Sequence, residues 1–246
     1  MFEWFPYKKK KDKLTPINFS VLRTDIHSHF IPGIDDGSPD LETSILLIQK
    51  MKELGFRKVI TTPHIISDFY RNTPEIINNG LKVLREELKT QKIEMEIDVA
   101  AEYYIDFDFE QKIGKEKLLT FGENYILIEL SFIEAPMNFH KIIFKLQLEG
   151  YKVVLAHPAR YSFFKKEDYQ ELVNKGVLMQ INLLSMIGYY SSGVKKQAEW
   201  LIEKKMVSFV GSDCHNINQA NLFMKCYSEK AWHNLVNSGT LLNHTL

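Results

Sequence analysis

From Thr24 onward the chain alternates between two patterns. Short, nearly continuous apolar runs fall at 23–26 (RTDI), 58–62 (KVITT), 96–101 (EIDVAA), 125–130 (YILIEL), 152–156 (KVVLA), 177–182 (VLMQIN) and 207–211 (VSFVG). Runs of this length and composition predict parallel strands buried on both faces. Between them, apolar residues recur every three or four positions, the period of a helix with one buried stripe. The clearest case follows Ser38, a predicted N-cap, with Pro39 at the first helical position, Leu41, Ile45, Ile48 and Met51 as the stripe, and Gly55 past the end. Similar patterns predict helices over 74–90, 138–149, 166–175, 194–204 and 229–237, while 106–122 shows no clear pattern. Strands alternating with helices mean a parallel α/β architecture. Seven strands fit a doubly wound open sheet and a closed barrel equally well.

No repeat, glycine–serine linker or low-complexity block divides the chain after Thr24, so residues 21–246 read as one domain. With 246 residues, 45% of them hydrophobic, the chain can bury one large core. Residues 1–20 form a basic and aromatic extension that lacks the apolar segment and cleavage site of a signal peptide. Phe2, Trp4 and Phe5 ahead of its lysines are compatible with weak contact to an anionic membrane surface, but a solvated tail is the simpler reading. No apolar run has the length of a membrane span, so stable insertion is not expected. Thirty-one basic residues balance thirty-one acidic ones, which argues against nucleic-acid binding as the main task. Cys214 and Cys226 make no disulfide framework, which favours a reducing, cytoplasmic setting. Neither has an arginine six residues on, as the phosphate loop of a cysteine phosphatase requires, and no P-loop or Gly-x-Ser-x-Gly elbow is present. Nothing in the pattern fixes oligomeric state, and a homo-oligomer is left open.

The chemistry collects at strand ends. His27 and His29 follow the first run, two residues apart, so in extended chain both rings face one way. Asp36 lies in the loop beyond them. His64 follows the second run, Glu102 the third and His157 the fifth; Glu129 sits near the end of the fourth, and Asp213 and His215 follow the seventh. In a parallel barrel those ends share one rim, where active sites form. Taken singly, each residue has an ordinary structural reading. Together they place five of the eight histidines and four carboxylates at one edge, where buried charge is costly unless paired or metal-bound. His140, His233 and His244 fall elsewhere and read as ordinary.

Nine nitrogen and oxygen donors exceed what one ion uses. The set suits two or three first-row ions, Mn, Fe or Zn, in a mixed site without thiolate. Such ions supply a hydroxide nucleophile at neutral pH and clamp phosphoryl oxygens. Arg160, three residues after His157, carries a planar fork suited to phosphate. Cys214, between two candidate ligands, should point away from them and stay inert.

The segments DIHSHFIPGIDDG, TTPHI, AEYY, LIELSF, LAHPARY and GSDCHN, in this order and spacing over roughly residues 24–216, resemble the polymerase-and-histidinol-phosphatase (PHP) superfamily. Within it the chain is most similar to the bacterial capsule-locus protein tyrosine phosphatases. The resemblance implies a distorted, TIM-like (β/α)7 barrel with three metals, manganese or iron. It implies that His27, His29, Asp36, His64, Glu102, Glu129, His157, Asp213 and His215 are ligands and that Arg160 binds phosphate. The implied substrate is the phosphotyrosine tail of a membrane-associated bacterial kinase that drives capsule or exopolysaccharide export. Relatives often carry a second arginine soon after the SD-x-H motif; here none occurs before Lys225, so Lys225 or Arg71 is the expected substitute. Three rivals are a small-molecule phosphatase such as a histidinol-phosphate hydrolase, a nuclease (disfavoured by charge), and a non-catalytic metal-binding regulatory module (disfavoured by the full ligand set).

Overall fold

A computed structural model describes residues 14–246. The predicted membrane contact of Phe2, Trp4 and Phe5 lies outside these residues. In chain order the elements are β1 (Thr24–Asp25), α1 (Leu41–Glu53), β2 (Lys58–Thr61), β3 (His64–Ile65), α2 (Pro74–Thr90), β4 (Glu96–Val99), β5 (Glu102–Tyr104), α3 (Phe107–Lys112), β6 (Tyr125–Glu129), α4 (Phe139–Leu148), β7 (Lys152–Ala156), α5 (Lys166–Asn174), β8 (Leu178–Asn182), α6 (Leu183–Met186), α7 (Ser192–Glu203), β9 (Val207–Gly211), α8 (Ile217–Leu222) and α9 (Lys230–Val236).

Two of the seven predicted runs are followed by a second short strand outside their bounds. After β2 the ladder breaks at Thr62–Pro63, because proline has no N–H for it, and β3 resumes at His64. Beside it, β4 gives way to β5. All pairings are parallel, in the orders β1-β2-β4 and β3-β5-β6-β7-β8-β9. The breaks do not part the neighbours, since Ala100 N–H donates to Thr61 O (3.0 Å) and Glu102 N–H to Pro63 O (3.2 Å). Beyond β1 the chain pairs with the chain beyond β9: Ser28 bridges Cys214, Asp213 N–H donates to His27 O (2.8 Å), and His29 N–H to Cys214 O (3.1 Å). First and last strands are therefore neighbours, and the sheet wraps as a distorted parallel barrel.

Alternation along the strands makes two cores. Ile126, Ile128, Val153 and Leu155 face outward onto the helices, while Leu127, Val154 and Ala156 join Ile26, Ile60, Ala100, Phe121 and Phe209 inside. Two residues further along the same inward faces come Glu102 after Ala100, Glu129 after Leu127, and Gly211 then Asp213 after Phe209. The polar site thus continues the apolar barrel interior toward the strands' C-terminal ends, with both faces of β6, β7, β8 and β9 largely buried as their apolar runs predict, while β4 exposes Glu96 and Asp98.

The predicted helices fall close to their spans, with α7 starting two residues early and α1 two residues late; α3, α6 and α8 lie outside the predicted set. In α1 the N-cap is Asp40, whose carboxylate accepts from Thr43 N–H (2.8 Å), and not Ser38. Ser38 is buried and its hydroxyl donates to Asp40 O (2.9 Å). Gly55 follows the helix at φ 107°, as predicted for a glycine stop. At the N-terminal side, Ile17 and Phe19, expected in the extension, belong to the body. Ile17 N–H donates to Tyr227 O (3.0 Å), Trp232 Nε1–H donates to Ile17 O (2.8 Å), and Phe19 is fully buried against Phe56 and Trp232. Among the described residues no helix is long and apolar enough to cross a membrane.

Candidate metal centre

All nine predicted donors meet at the C-terminal rim. Glu102 stands at the middle. Its Oε2 lies 3.1 Å from His27 Nε2, 3.2 Å from His64 Nδ1 and 3.5 Å from His29 Nε2, and its Oε1 lies 3.0 Å from His157 Nε2. Glu129 Oε1 is 2.9 Å from His64 Nδ1. Asp213 Oδ1 is 3.5 Å from the Nε2 atoms of both His27 and His29. Asp36 Oδ1 lies 3.5 Å from the Nε2 atoms of His64 and His215. Eight of the nine fall into three overlapping groups: His29, Asp36, His64 and His215; His27, His29 and Asp213; His64, Glu102 and Glu129. His157 joins them through Glu102.

These atoms fit cations better than they fit each other. His64 Nδ1 and Glu129 Oε1 are buried and 2.9 Å apart, yet neither makes a well-formed hydrogen bond. His157 Nδ1 is also buried without a partner. Leaving such groups unsatisfied is costly, and Glu102, Glu129 and Asp213 add three buried carboxylates. An all-nitrogen-and-oxygen donor set matches Mn, Fe or Zn. Cys214 stays out of it, fully buried, its thiol contacting Asn216 O and pushed well up by burial and by Asp25.

The electrostatics point the same way. Burial works against a charged His27, but Glu102 and Asp213 outweigh it and raise its pKa to about 9. His64, opposed by burial, is raised to about 10 by Glu102, Glu129 and Asp36. Glu102 in turn is held well below its ordinary value despite its burial, chiefly by His27 and His64. Glu129 moves up, through burial and the neighbouring Glu102. A field strong enough to hold protons on these imidazoles is also one that cations can exploit by displacing the protons.

A second layer, not identified from the sequence, aims the donors. Asp35 is buried and accepts from His29 Nδ1–H (2.9 Å), Gly37 N–H (3.0 Å) and His64 N–H (3.1 Å). Despite burial, these contacts and the His29 charge lower its pKa to about 2. Gln180 Oε1 accepts from His27 Nδ1–H (2.9 Å) and from His157 N–H (3.2 Å). His215 Nδ1 lies 3.0 Å from Asp213 O. Each contact leaves the opposite ring nitrogen, Nε2, for the centre. The doubled aspartate at 35–36 and a lone glutamine in a buried strand were the available signals.

Backbone shape contributes as well. His157 (φ 36°) and Asp213 (φ 51°) are left-handed, a conformation uncommon for residues other than glycine and costing about 1–3 kcal/mol. In both cases the chain leaves the strand sharply. After His157, a 3-10 turn over Pro158–Arg160, closed by Arg160 N–H donating to His157 O (2.9 Å), returns Arg160 beside the ligand before it. At Gly211 any Cβ would lie 2.5 Å from His27 Cβ and 2.8 Å from Gln180 Nε2, so only glycine lets β9 approach the chain at His27.

Above the donors a cavity of about 350 Å³ opens between His64, His157, Asp213, His215 and Arg160, walled by Phe132, Tyr190, Asn216 and Gln219. Arg71 and Lys225, expected to reach phosphate, do not line it. Arg71 Nε–H donates to Ser67 O in its own loop (2.7 Å). Lys225 lies on a 3-10 turn, Phe223–Ser228, whose threefold period buries Phe223 and Cys226 and turns Lys225 to solvent. Asn216 and Gln219 line this stretch of wall instead.

Residues 23–231, with this rim of donors among them, match the family described as "Capsular polysaccharide synthesis, CpsB/CapC". The chain belongs to the CpsB/CapC family. Among its relatives, the tyrosine-protein phosphatase YwqE of Bacillus subtilis is 32% identical over 200 residues, covering 80% of this chain and 79% of YwqE. The tyrosine-protein phosphatase CpsB of Streptococcus pneumoniae is 28% identical over 209 residues, 82% of this chain and 86% of CpsB. A crystal structure from the work on those two proteins, described as unique metal-dependent tyrosine phosphatases, superimposes with a TM-score of 0.79 at 30% identity, covering 89% of each chain.

Proposed function

We propose that this CpsB/CapC family member is a metal-dependent protein tyrosine phosphatase whose substrate is the phosphotyrosine tail of a membrane-associated bacterial kinase governing capsule or exopolysaccharide synthesis. The observation that carries the reading is the convergence of nine donors from six strands beneath a cavity whose wall holds one arginine. The relatives' activity gives it direction, since both are tyrosine-protein phosphatases.

His27, His29, Asp36, His64, Glu102, Glu129, His157, Asp213 and His215 would hold two to three ions, with Mn first and Fe or Zn as substitutes. Bound there, such ions supply Lewis acidity toward phosphoryl oxygens and a hydroxide nucleophile at neutral pH. The chain's own residues do the rest. Arg160, about a quarter exposed, sets N–H donors at the cavity where phosphoryl oxygens gather charge in the transition state. Asp35 and Gln180 fix the faces that His29 and His27 present. The phenolate of tyrosine leaves readily and needs little proton donation. With no thiol in the cavity, no phosphocysteine intermediate is involved. Action on a kinase tail places the protein on the cytoplasmic side of the membrane, with no nucleic acid required.

The test is turnover of phosphotyrosine peptides from a kinase tail by Mn-loaded protein, run beside histidinol phosphate. Peptide hydrolysis that stops with chelator and returns with Mn is the expected result. Faster turnover of histidinol phosphate, or hydrolysis indifferent to chelator, would overturn the reading.

A further inference from the structure

Arg160 lies against two aromatic rings. Its guanidinium carbon lies 4.2 Å from the centre of the Phe132 ring and 4.5 Å from that of Tyr190. One end of its fork, Nη1, is 3.5 Å from Asp213 Oδ2. The Tyr190 hydroxyl donates to that same oxygen at 3.3 Å and accepts from Asn182 Nδ2–H at 3.1 Å. Asn182 Nδ2–H also donates to Asp213 Oδ2. Asp213 Oδ1 faces His27 and His29, so Oδ2 alone deals with this side of the cavity.

We propose that Tyr190, together with Phe132, is a positioning residue that sets the plane and direction of Arg160 for phosphate. The inference rests on the reading that Arg160 meets a phosphoryl group. An arginine at a half-open wall has many rotamers, and two alternatives would disable it. It could swing into solvent, or it could fold onto Asp213 and spend its N–H groups there. Aromatic faces prevent the first without using any of the five N–H donors, because a ring attracts the cation through its quadrupole and accepts no directed hydrogen bond in the guanidinium plane. The Tyr190 hydroxyl and the Asn182 amide limit the second, by occupying Asp213 Oδ2 and leaving Arg160 only one long contact with it. The ring and hydroxyl of Tyr190 thus have separable jobs: the ring orients Arg160, and the hydroxyl keeps Asp213 from capturing it. Phe132 supplies the second ring from the loop after β6; it is exposed on one side and backed by the His157 ring at 5.6 Å and the Tyr161 ring at 5.8 Å. Tyr190 is the half of the clamp that hydrogen bonds hold in place.

Inorganic phosphate is the probe, its affinity for Mn-loaded protein read by calorimetry, with metal content measured on each variant. Tyr190→Leu is expected to weaken phosphate about tenfold at unchanged metal content, the scale of one desolvated cation–π contact. Tyr190→Phe, which keeps the ring, should stay within about threefold of wild type, and Phe132→Leu should fall between the two. In an Arg160→Ala background, Tyr190→Leu should produce no further loss, because residues acting through one another are non-additive. An equal loss in that background would overturn the proposal, as would loss of metal in Tyr190→Leu or failure of the wild type to bind phosphate. If the wild type binds phosphate with this coupling but hydrolyses no phosphotyrosine, the proposed function fails and the positioning role stands.

Discussion

His64 and Glu102 are direct register partners across the parallel pair β3 and β5, and the imidazole Nδ1 lies 3.2 Å from the carboxylate Oε2. Register partners share a face, so the pairing of two short strands fixes how far apart two donors can be. Pro63, which ends β2, is what allows β3 to start afresh at His64 with this alignment.

Glu102 is the donor with the most neighbours in the centre, touching four imidazoles through two oxygens. Glu102→Gln keeps its size and removes its charge. The substitution is expected to lower bound metal measurably and turnover by at least ~100-fold, beyond the 10–100-fold typical when only an outer partner is lost. Elemental analysis and a phosphotyrosine assay check this together. Full metal content with normal turnover would remove Glu102 from the centre.

Asp35 tests the outer layer. Asp35→Asn leaves His29 without its charged partner and weakens the anchor on the His64 backbone. Metal affinity should fall about 10–100-fold, with the fold retained. Competition with a calibrated chelator reads the affinity, and circular dichroism the fold. Asp36→Asn, in a half-exposed position, should have the smaller effect on the fold and a direct effect on one cation group.

Gly211 tests the approach of strands. Gly211→Ala forces a methyl against His27 Cβ, and neither β9 nor the His27 backbone is free to move. Overpacking of this kind costs about 1–3 kcal/mol, or roughly 2–12 °C in Tm for a chain of this size. Metal content should fall with it, because the ring displaced is a proposed ligand. A thermal melt and metal analysis on the same sample decide it, and an unchanged melt would mean the clash is relieved elsewhere.

How much of this was legible in the sequence depends on what kind of signal a residue leaves. A titratable side chain just beyond an apolar strand is conspicuous, and inward alternation carries it to the rim, which is why His64, Glu102 and Asp213 could be placed before the fold was known. Asp35 could not be separated from Asp36, since adjacent aspartates differ only in which way a tight loop turns them. Gln180 left a weak signal, a neutral polar residue in VLMQIN. Tyr190 left none, because aromatics in loops are common. Lys225 and Arg71 do not line the cavity for a physical reason: reach depends on the local turn, and a threefold period decided the direction of Lys225. The strand breaks and the start of α1 were missed where one residue, Pro63 or Ser38, competed with its neighbours for a role that a linear pattern cannot assign.

The last prediction follows from proton and metal competing for the same atoms. With metal removed, His27 is raised to about 9 and His64 to about 10, against an ordinary value of 6.5. A group whose folded pKa is raised stabilises the folded state fully below its unfolded value and loses that stabilisation as pH climbs through its folded value. Chelated protein should therefore lose thermal stability between about pH 6.5 and pH 9–10. Asp35, lowered to about 2 from 3.8, has the opposite sign: its contribution is complete above pH 3.8 and disappears as pH falls toward 2. Metal reverses the alkaline limb. Ligation requires neutral imidazole, so binding displaces those protons and strengthens as pH rises. The difference in Tm between Mn-loaded and chelated protein should accordingly grow from pH 6 to pH 9, before lysine and tyrosine titration intervene. A difference that stays flat across that range would mean that the imidazoles of His27 and His64 do not exchange protons for metal, and the assignment of both as ligands would fall.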